Sequence, residues 1–503
     1  MPRAYIAIDL GAESGRVIAA VLADRRLQLE EIHRFAHEPV WLPTGLHWDT
    51  TGIWREITLG LRKTAEWADS GKVELVSVGV DTWGVDWALV DAAGELVGLP
   101  HAYRDPRNSA AYENVIATLG VERVYQTTGI QFMPLNTLYS LYAHQLADAK
   151  ALATADQLLF MPDLFHFWLS GERTVEATIA STSQMIDCHT GDWAVEMLEE
   201  LGLPTKLLGR ITPPGTVIGT LRSKIAEITG LPTSLQVVAP AAHDTASAVA
   251  AVPAEANGSN AEWCYLSSGT WSLLGAELDA PCVSAQAQAA TFTNELGVCG
   301  TTRFLKNIPG LWLVQECRRD FLRRGQELDY ATLTQLATEA HPIRTLVDPS
   351  HGSFQSPGDM LSKIVEFARA TAQHVPESPG QYVRCCLESL ALAYREKLET
   401  LESILRRRFE VIHVVGGGGK NTLLCQMTAD ATGRRVVVGP FEATAMGNAL
   451  VQAMALGDLR DLRDVRWIVA NSFELVSYEP LHQKGWDAAF ERFRKLCAGQ
   501  QGA

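Results

Sequence analysis

The sequence predicts an α/β protein of two domains, on three observations. Near its midpoint an apolar run, Gln236 to Ala242, ends at His243-Asp244 and passes into small, helix-compatible residues. This reads as a buried strand followed by a helix, with one carboxylate at the strand's C-terminal end, where open α/β sheets bind ligands. A strand–turn–strand unit at the N-terminus has a counterpart half a chain away, at Trp263 to Glu277, with Gly11-Ala12 matched by Gly269-Thr270. The two turns suggest a duplicated domain, although Gly/Ser hairpins are common enough to recur by chance. Finally, 503 residues exceed one ordinary core, and two domains of about 250 residues are the natural division.

Composition narrows the function classes. The chain is 47% hydrophobic and 20% charged, as soluble globular proteins are. A net charge of −15 argues against nucleic-acid partners and anionic membranes. If an anionic ligand binds, backbone N–H groups and a divalent cation must supply most of the positive field. The N-terminal MPRAYIAIDL reads as a strand rather than a signal peptide, and no apolar run reaches transmembrane length. Nine scattered cysteines, without zinc spacing, fit reduced thiols in a cytoplasmic protein.

In chain order, Tyr5 to Leu10 is a strand, GAESG a tight turn, RVIAAVLA a second strand and LQLEEIHRF a third. A dinucleotide-binding reading would need a helix directly after the glycines, and here the chain turns back twice instead. VELVSVGVDTWGVDWALV then gives two strands about a turn. Asp81, Trp83, Gly84, Asp86 and Trp87 combine carboxylates with indole faces, as a sugar site does, while buried tryptophans are ordinary core residues, which is the reading favoured for Trp87. QFMPLNTLYSLYAHQL leads from a loop into an amphipathic helix. MPDLFHFWLS makes a helix stopped at Gly171, and a Ser/Thr-rich loop follows. Asp244 itself has two readings, as helix N-cap or as reactive carboxylate.

In the second half, Lys306 and Asn307 precede a helix carrying Gln315, and PESPGQYVRCCLESLALAYREKLETLESILRRRFE is a long amphipathic helix. VIHVVGGGGKNTLLCQMTADATGRRVVVGP gives strand, four glycines, helix, strand. It is not a Walker A loop, because Val414 stands where that motif needs Gly and Asn421 follows Lys420. The four glycines mark either close approach of a flat ligand such as a nucleoside or a tight strand-to-helix turn. FEATAMGNALVQAMALG is a further helix, and the polar tail ends in another.

Together, IDLGAESGR, SSGTWS, HDTASAV and the late GGGG loop resemble the FGGY carbohydrate kinases of the actin/sugar-kinase superfamily, from about Tyr5 to Gly447. DTWGVD, LPHAYRDPR, GIQFMPLNTLY and AAHDTASAV are similar to the branch of that family acting on L-rhamnulose. The Phe-Gly-Gly-Tyr string is absent, and Ala12-Glu13 stand where many members carry Thr or Ser, so any role of residue 12 falls to its backbone amide. The resemblance implies two ribonuclease-H-like α/β domains flanking a central cleft. The expected parts are a sugar-binding domain over 1–248, a nucleotide-binding domain over 249–458 and a segment, 459–503, returning to the first. It implies ATP and Mg²⁺ as cofactors and L-rhamnulose as the partner sugar, phosphorylated on its 1-hydroxyl. Residue by residue, Ala12, Glu13, Ser14, Gly15 and Arg16 match the first phosphate loop and Thr270 the second. Gln315 and Gly417 fall at nucleotide positions, and Gly84, His243, Asp244, Thr245 and Asn307 at sugar positions. Asp244 matches the catalytic base, and Asp9 is the expected Mg²⁺ holder. L-fuculose, another 6-deoxyketose, is the nearest competing substrate. An actin- or Hsp70-like ATPase and a non-catalytic sugar sensor are competitors of other classes, and monomer and homodimer both stay open.

Overall fold

Both hairpins expected from the Gly-containing turns form. In the computed structural model, which describes residues 2–254 and 262–498, the strand Arg3–Leu10 pairs antiparallel with Ser14–Ala23. It pairs in parallel with Glu74–Thr82 on its other side. Both strands are buried almost throughout, which explains why each reads as a continuous apolar run rather than an alternation. The sheet runs Thr216–Thr220, Gln236–Ala239, Glu74–Thr82, Arg3–Leu10, Ser14–Ala23, Arg26–Ala36. Its three central strands are mutually parallel.

A second sheet repeats this plan. Trp263–Ser268 pairs antiparallel with Trp271–Leu278 and parallel with Val411–Val415. Val411–Val415 is followed by parallel Arg435–Val438 and then by antiparallel Val476–Tyr478. Each sheet thus contains a hairpin, two further parallel strands and an antiparallel strand beyond them. That shared order is the duplication expected from the paired turns.

The chain divides into two units. One comprises Met1–Asn257, Glu277–Phe304 and Ala443–Phe473; the other comprises Gly258–Ala276, Leu305–Glu442 and Glu474–Ala503. This differs from the boundaries expected at 248 and 458. The segment Ala443–Phe473 lies in the first unit because its helix, Ala443–Ala455, inserts polar side chains into the first sheet. Gln452 donates from Nε2 to the carbonyl of Ile6 (3.0 Å), and its Oε1 accepts from Ser77 Oγ (2.7 Å). Asn448 Nδ2 donates to the carbonyl of Gly79 (3.2 Å), and both side chains are fully buried. Such groups must be hydrogen-bonded to be tolerated, so they fix where the helix sits.

The central strand is shorter than its apolar run, ending at Ala239, because Pro240 has no N–H for the ladder. The chain nevertheless stays alongside its neighbour, with Thr82 N–H donating to the Ala242 carbonyl (2.9 Å). The helix Met161–Ser170 ends at Gly171 with φ of 92°, as its C-terminal glycine predicts. The helix Pro379–Leu405 starts with a Ser378 cap and a proline in its first turn. All nine cysteines are free, and no helix among the described residues is long and apolar enough to cross a membrane.

The short helix Asp244–Ala250 packs against Ala443–Ala455 so closely that a Cβ at Gly447 would lie 1.8 Å from the Ser247 carbonyl oxygen. Gly447→Ala should therefore lower the urea midpoint by the equivalent of about 1–3 kcal/mol, the usual cost of overpacking. A midpoint equal to the parent's would show that the two helices separate freely.

Candidate active site

Three carboxylates stand at the C-terminal ends of adjacent strands in the first unit. Asp9 faces Arg16 across the hairpin and Asp81 across the parallel ladder. Thr82 bridges in parallel to His243, which sets Asp244 one residue beyond. Arg16 makes an ion pair with Asp9. Asp81 is fully buried and accepts from Asn448 Nδ2 at 2.6 Å. Burial, together with the charges of Asp9 and Asp244, holds its carboxyl well above the usual carboxylate range despite that bond. Asp244 differs from both in being about a third exposed (31%).

The helix begins at Asp244, and its N-cap is His243, so the capping reading of Asp244 does not hold. Asp244 Oδ1 instead accepts from its neighbour, from Thr245 N (2.5 Å) and Thr245 Oγ1 (3.0 Å). The second oxygen, Oδ2, is left for another partner by these two bonds.

The backbone leading into this turn is gripped by residues that the sequence reading passed over. Glu176 Oε2 accepts from Ala242 N (3.2 Å), and Thr178 Oγ1 accepts from His243 N (3.1 Å). The same Glu176 oxygen takes Thr178 Oγ1 (2.6 Å) and Ile179 N (3.0 Å), while Asp163 Oδ1 takes Glu176 N (3.0 Å). Burial pushes the Glu176 carboxyl up to about 7 against these bonds. An acid inside an otherwise apolar and Ser/Thr-rich stretch was the available signal.

The turn after Glu74–Thr82 is equally constrained. A Cβ on Gly84 would meet Thr182 at 3.3 Å. Val85 adopts φ of 72°, costly for a β-branched residue. It is held there by Val85 N donating to Thr182 Oγ1 (3.0 Å) and Thr137 Oγ1 donating to the Val85 carbonyl (2.6 Å). Asp86 and the indoles, read as a possible sugar surface, instead satisfy one another in the core. Trp48 Nε1 and Trp83 Nε1 both donate to Asp86 Oδ2, at 2.6 and 2.8 Å, and Trp87 Nε1 donates to Ser140 Oγ (2.8 Å). Burial pushes the Asp86 carboxyl up to about 7, although the two indole bonds oppose it.

Ala12 and Glu13 form the tip of the first turn, where Gly11 N donates to the Ser14 carbonyl (2.9 Å). Ser14, Gly15 and Arg16 already belong to the second strand. A Cβ at Gly15 would lie 2.3 Å from the Phe35 ring, so packing alone demands glycine there.

In the second unit, Gln315 Nε2 donates to Thr270 Oγ1 (3.1 Å), joining two residues expected at nucleotide positions. The Thr270 carbonyl accepts from Gly310 N (3.0 Å), which ties the turn to the start of the helix Trp312–Arg323. Asn307 lies in the strand Thr302–Pro309 beside Lys306, whose ammonium is pulled down to about 7 by burial and by Lys397. The four glycines divide. Gly416 and Gly418 have no room for a Cβ beside Ser268, and Gly419 none beside Val438. Only Gly417, among these four, faces open space. The tight-turn reading thus accounts for three of the glycines, and packing does not account for Gly417.

Residues 4–251 match the N-terminal domain of the FGGY family of carbohydrate kinases, and residues 264–456 match its C-terminal domain. A rhamnulokinase of Bacteroides thetaiotaomicron is 43% identical over 494 residues, covering 98% of this chain and 99% of that protein. A rhamnulokinase of Oceanobacillus iheyensis is 38% identical, covering 96% and 100%. Among solved structures, a gluconate kinase from Lactobacillus acidophilus superposes with a TM-score of 0.81 at 14% identity, covering 100% of this chain and 99% of that one. The last likeness speaks for the fold, the two-domain plan of the sugar kinases. With both family domains matched over most of its length, the chain belongs to the FGGY family of carbohydrate kinases.

Proposed function

We propose that the protein transfers the γ-phosphoryl group of ATP to the 1-hydroxyl of L-rhamnulose, giving L-rhamnulose 1-phosphate and ADP. One observation carries the reading: Asp244 is the exposed member of three strand-end carboxylates, in a chain alike over nearly its whole length to relatives named rhamnulokinase. A base must reach its proton, and of the three Asp244 has both exposure and a free oxygen.

In this reaction Asp244 orients the sugar's 1-hydroxyl and takes its proton as the new O–P bond forms and the bond to the β-phosphate oxygen breaks. Phosphoryl transfer asks a protein for positioning and charge neutralisation more than for covalent chemistry. Gly84, His243, Thr245 and Asn307 are assigned to the sugar. The segment Ala12–Arg16, turn tip and strand start, and Thr270 are assigned to the phosphates, through backbone N–H groups, and Gln315 and Gly417 to the nucleoside side.

Among the described residues no three His, Cys, Asp or Glu side chains form a metal cage. Mg²⁺ does not need one, because it keeps water and substrate phosphates as ligands beside one or two carboxylates. The donor set fits: Asp9 stands in register with Asp81, whose buried Oδ1 has no hydrogen-bond partner. Asp9 would hold the ion, which when bound neutralises phosphate charge. The free thiols suit a cytoplasmic enzyme drawing on cytosolic ATP.

Asp244→Asn should reduce sugar-dependent ADP release by roughly 10²–10⁴-fold, the worth of a general base, while calorimetric ATP affinity stays within a few-fold of the parent's. Sugar turnover retained in that variant would remove Asp244 from the role. Across L-rhamnulose, L-fuculose, L-xylulose, D-xylulose and glycerol, ADP release should be greatest with L-rhamnulose. Equal release without any sugar would favour an ATPase, and a higher kcat/KM for L-fuculose would reassign the substrate.

A further inference from the structure

On the face of the His243 imidazole away from Asp244 lies a buried charged pair that phosphoryl transfer does not call for. Arg303 is among the largest fully buried side chains of the chain. Its Nη1 lies 3.0 Å from Glu295 Oε2, and its Nε donates to the Leu296 carbonyl (3.1 Å). Its Nη2 lies 3.1 Å from His243 Nδ1. Glu295 Oε2 is itself 3.3 Å from that nitrogen, and His243 Nε2 is 3.3 Å from Asp244 Oδ1. The segment bearing Glu295 is anchored on both sides, by Leu296 N donating to Ser181 Oγ (2.9 Å) and Asn294 N donating to the Gly129 carbonyl (2.9 Å).

The chemistry of these groups limits where the imidazole proton can be. Two groups face Nδ1, but only Arg303 Nη2 is hydrogen-bonded to it, Glu295 Oε2 having no hydrogen bond at its 3.3 Å, and because a guanidinium only donates, Nδ1 must offer its lone pair. That leaves the proton on Nε2. The other side leads to the same place, since an Nε2 lone pair directed at the Asp244 carboxylate would be repelled, whereas an Nε2–H is attracted. A doubly protonated ring would set Nδ1–H against the Arg303 N–H. Glu295 balances the arginine's charge: burial pushes its carboxyl up, but the Arg303 guanidinium beside it pulls the other way, and it titrates below the ordinary range.

We propose that Arg303, charge-balanced by Glu295, is a positioning residue that locks His243 as the neutral Nε2–H tautomer, making it a fixed hydrogen-bond donor on the Asp244 side and barring it from acting as a second base. This rests on the reading of Asp244 as the proton acceptor. The donor would orient one Asp244 oxygen and leave the other for the sugar hydroxyl. Holding a histidine by its far nitrogen is how outer partners fix tautomers at other sites.

The test is ¹⁵N NMR of the histidine-labelled full chain at pH 7.5, with the His243 signals identified by their loss in His243→Gln. The expected spectrum is a neutral ring with Nε2 protonated and Nδ1 not. Arg303→Gln should mix the tautomers and lower kcat for the sugar by roughly 10- to 100-fold, with KM for ATP unchanged. Arg303→Lys, which keeps charge and donors, should recover part of both. An Nδ1–H tautomer or an imidazolium in the parent protein overturns the proposal even if no variant folds. So does an Arg303→Gln spectrum identical to the parent's, which would leave Arg303 a purely structural role. The spectrum needs no turnover, so a parent without sugar-stimulated ADP release would count against the kinase reading and leave the tautomer to be decided separately.

Discussion

The backbone of Ala241 to His243 is held from several sides at once, and the rest of the site depends on that grip. Ala242 donates to Glu176 and accepts from Thr82, while His243 donates to Thr178. Ser247 Oγ, one turn into the following helix, donates back to the Ala241 carbonyl (2.7 Å). Pro240 frees this stretch from the regular ladder, and side chains and a neighbouring strand end then re-satisfy its polar groups. Asp244 therefore projects from a turn with little freedom to move. Positional precision of this kind is what a proton acceptor in phosphoryl transfer requires.

The grip has a cost in buried charge. Asp81, Asp86, Asp163 and Glu176 are all buried acids whose carboxyls burial raises above the ordinary range. An apolar core would be less costly, so these groups are tolerated only because hydrogen bonds compensate them. Their partners are specific: indole N–H for Asp86, Asn448 for Asp81, backbone N–H for Glu176. Each fixes the end of a strand or the start of a helix at the place where chemistry is assigned. The Asp9–Asp81–Asp244 row extends the same logic, with one member open to solvent and two turned inward.

Much of this was legible in the amino acids. The hairpins, the central strand-to-helix turn and the repeated plan of the two sheets follow from apolar runs interrupted by small residues, which depend on local chemistry alone. What pairs across long separations was not legible. Thr270 and Gln315 were each singled out, yet their hydrogen bond exists only because Gly310 lets the helix start beside the turn. The tryptophans around DTWG left a ligand surface and a core both open, because composition cannot say which face of an indole is covered. Three of the four late glycines serve packing against Ser268 and Val438, a demand set by a strand more than a hundred residues earlier in one case and by the next strand in the other. Glu295 and Arg303 were not singled out from the sequence, although an arginine within the run TRFL, flanked by Phe and Leu, is the mark of a buried partner.

The central claim is that Asp244 accepts the proton of the sugar's 1-hydroxyl. It is tested most directly by a crystal structure of the protein with L-rhamnulose and a non-hydrolysable ATP analogue. The account predicts the 1-hydroxyl oxygen within about 2.6–3.2 Å of Asp244 Oδ2, with the γ-phosphoryl group on the opposite side of that oxygen. A sugar bound with its 1-hydroxyl away from Asp244, or with another carboxylate at that distance, would contradict it.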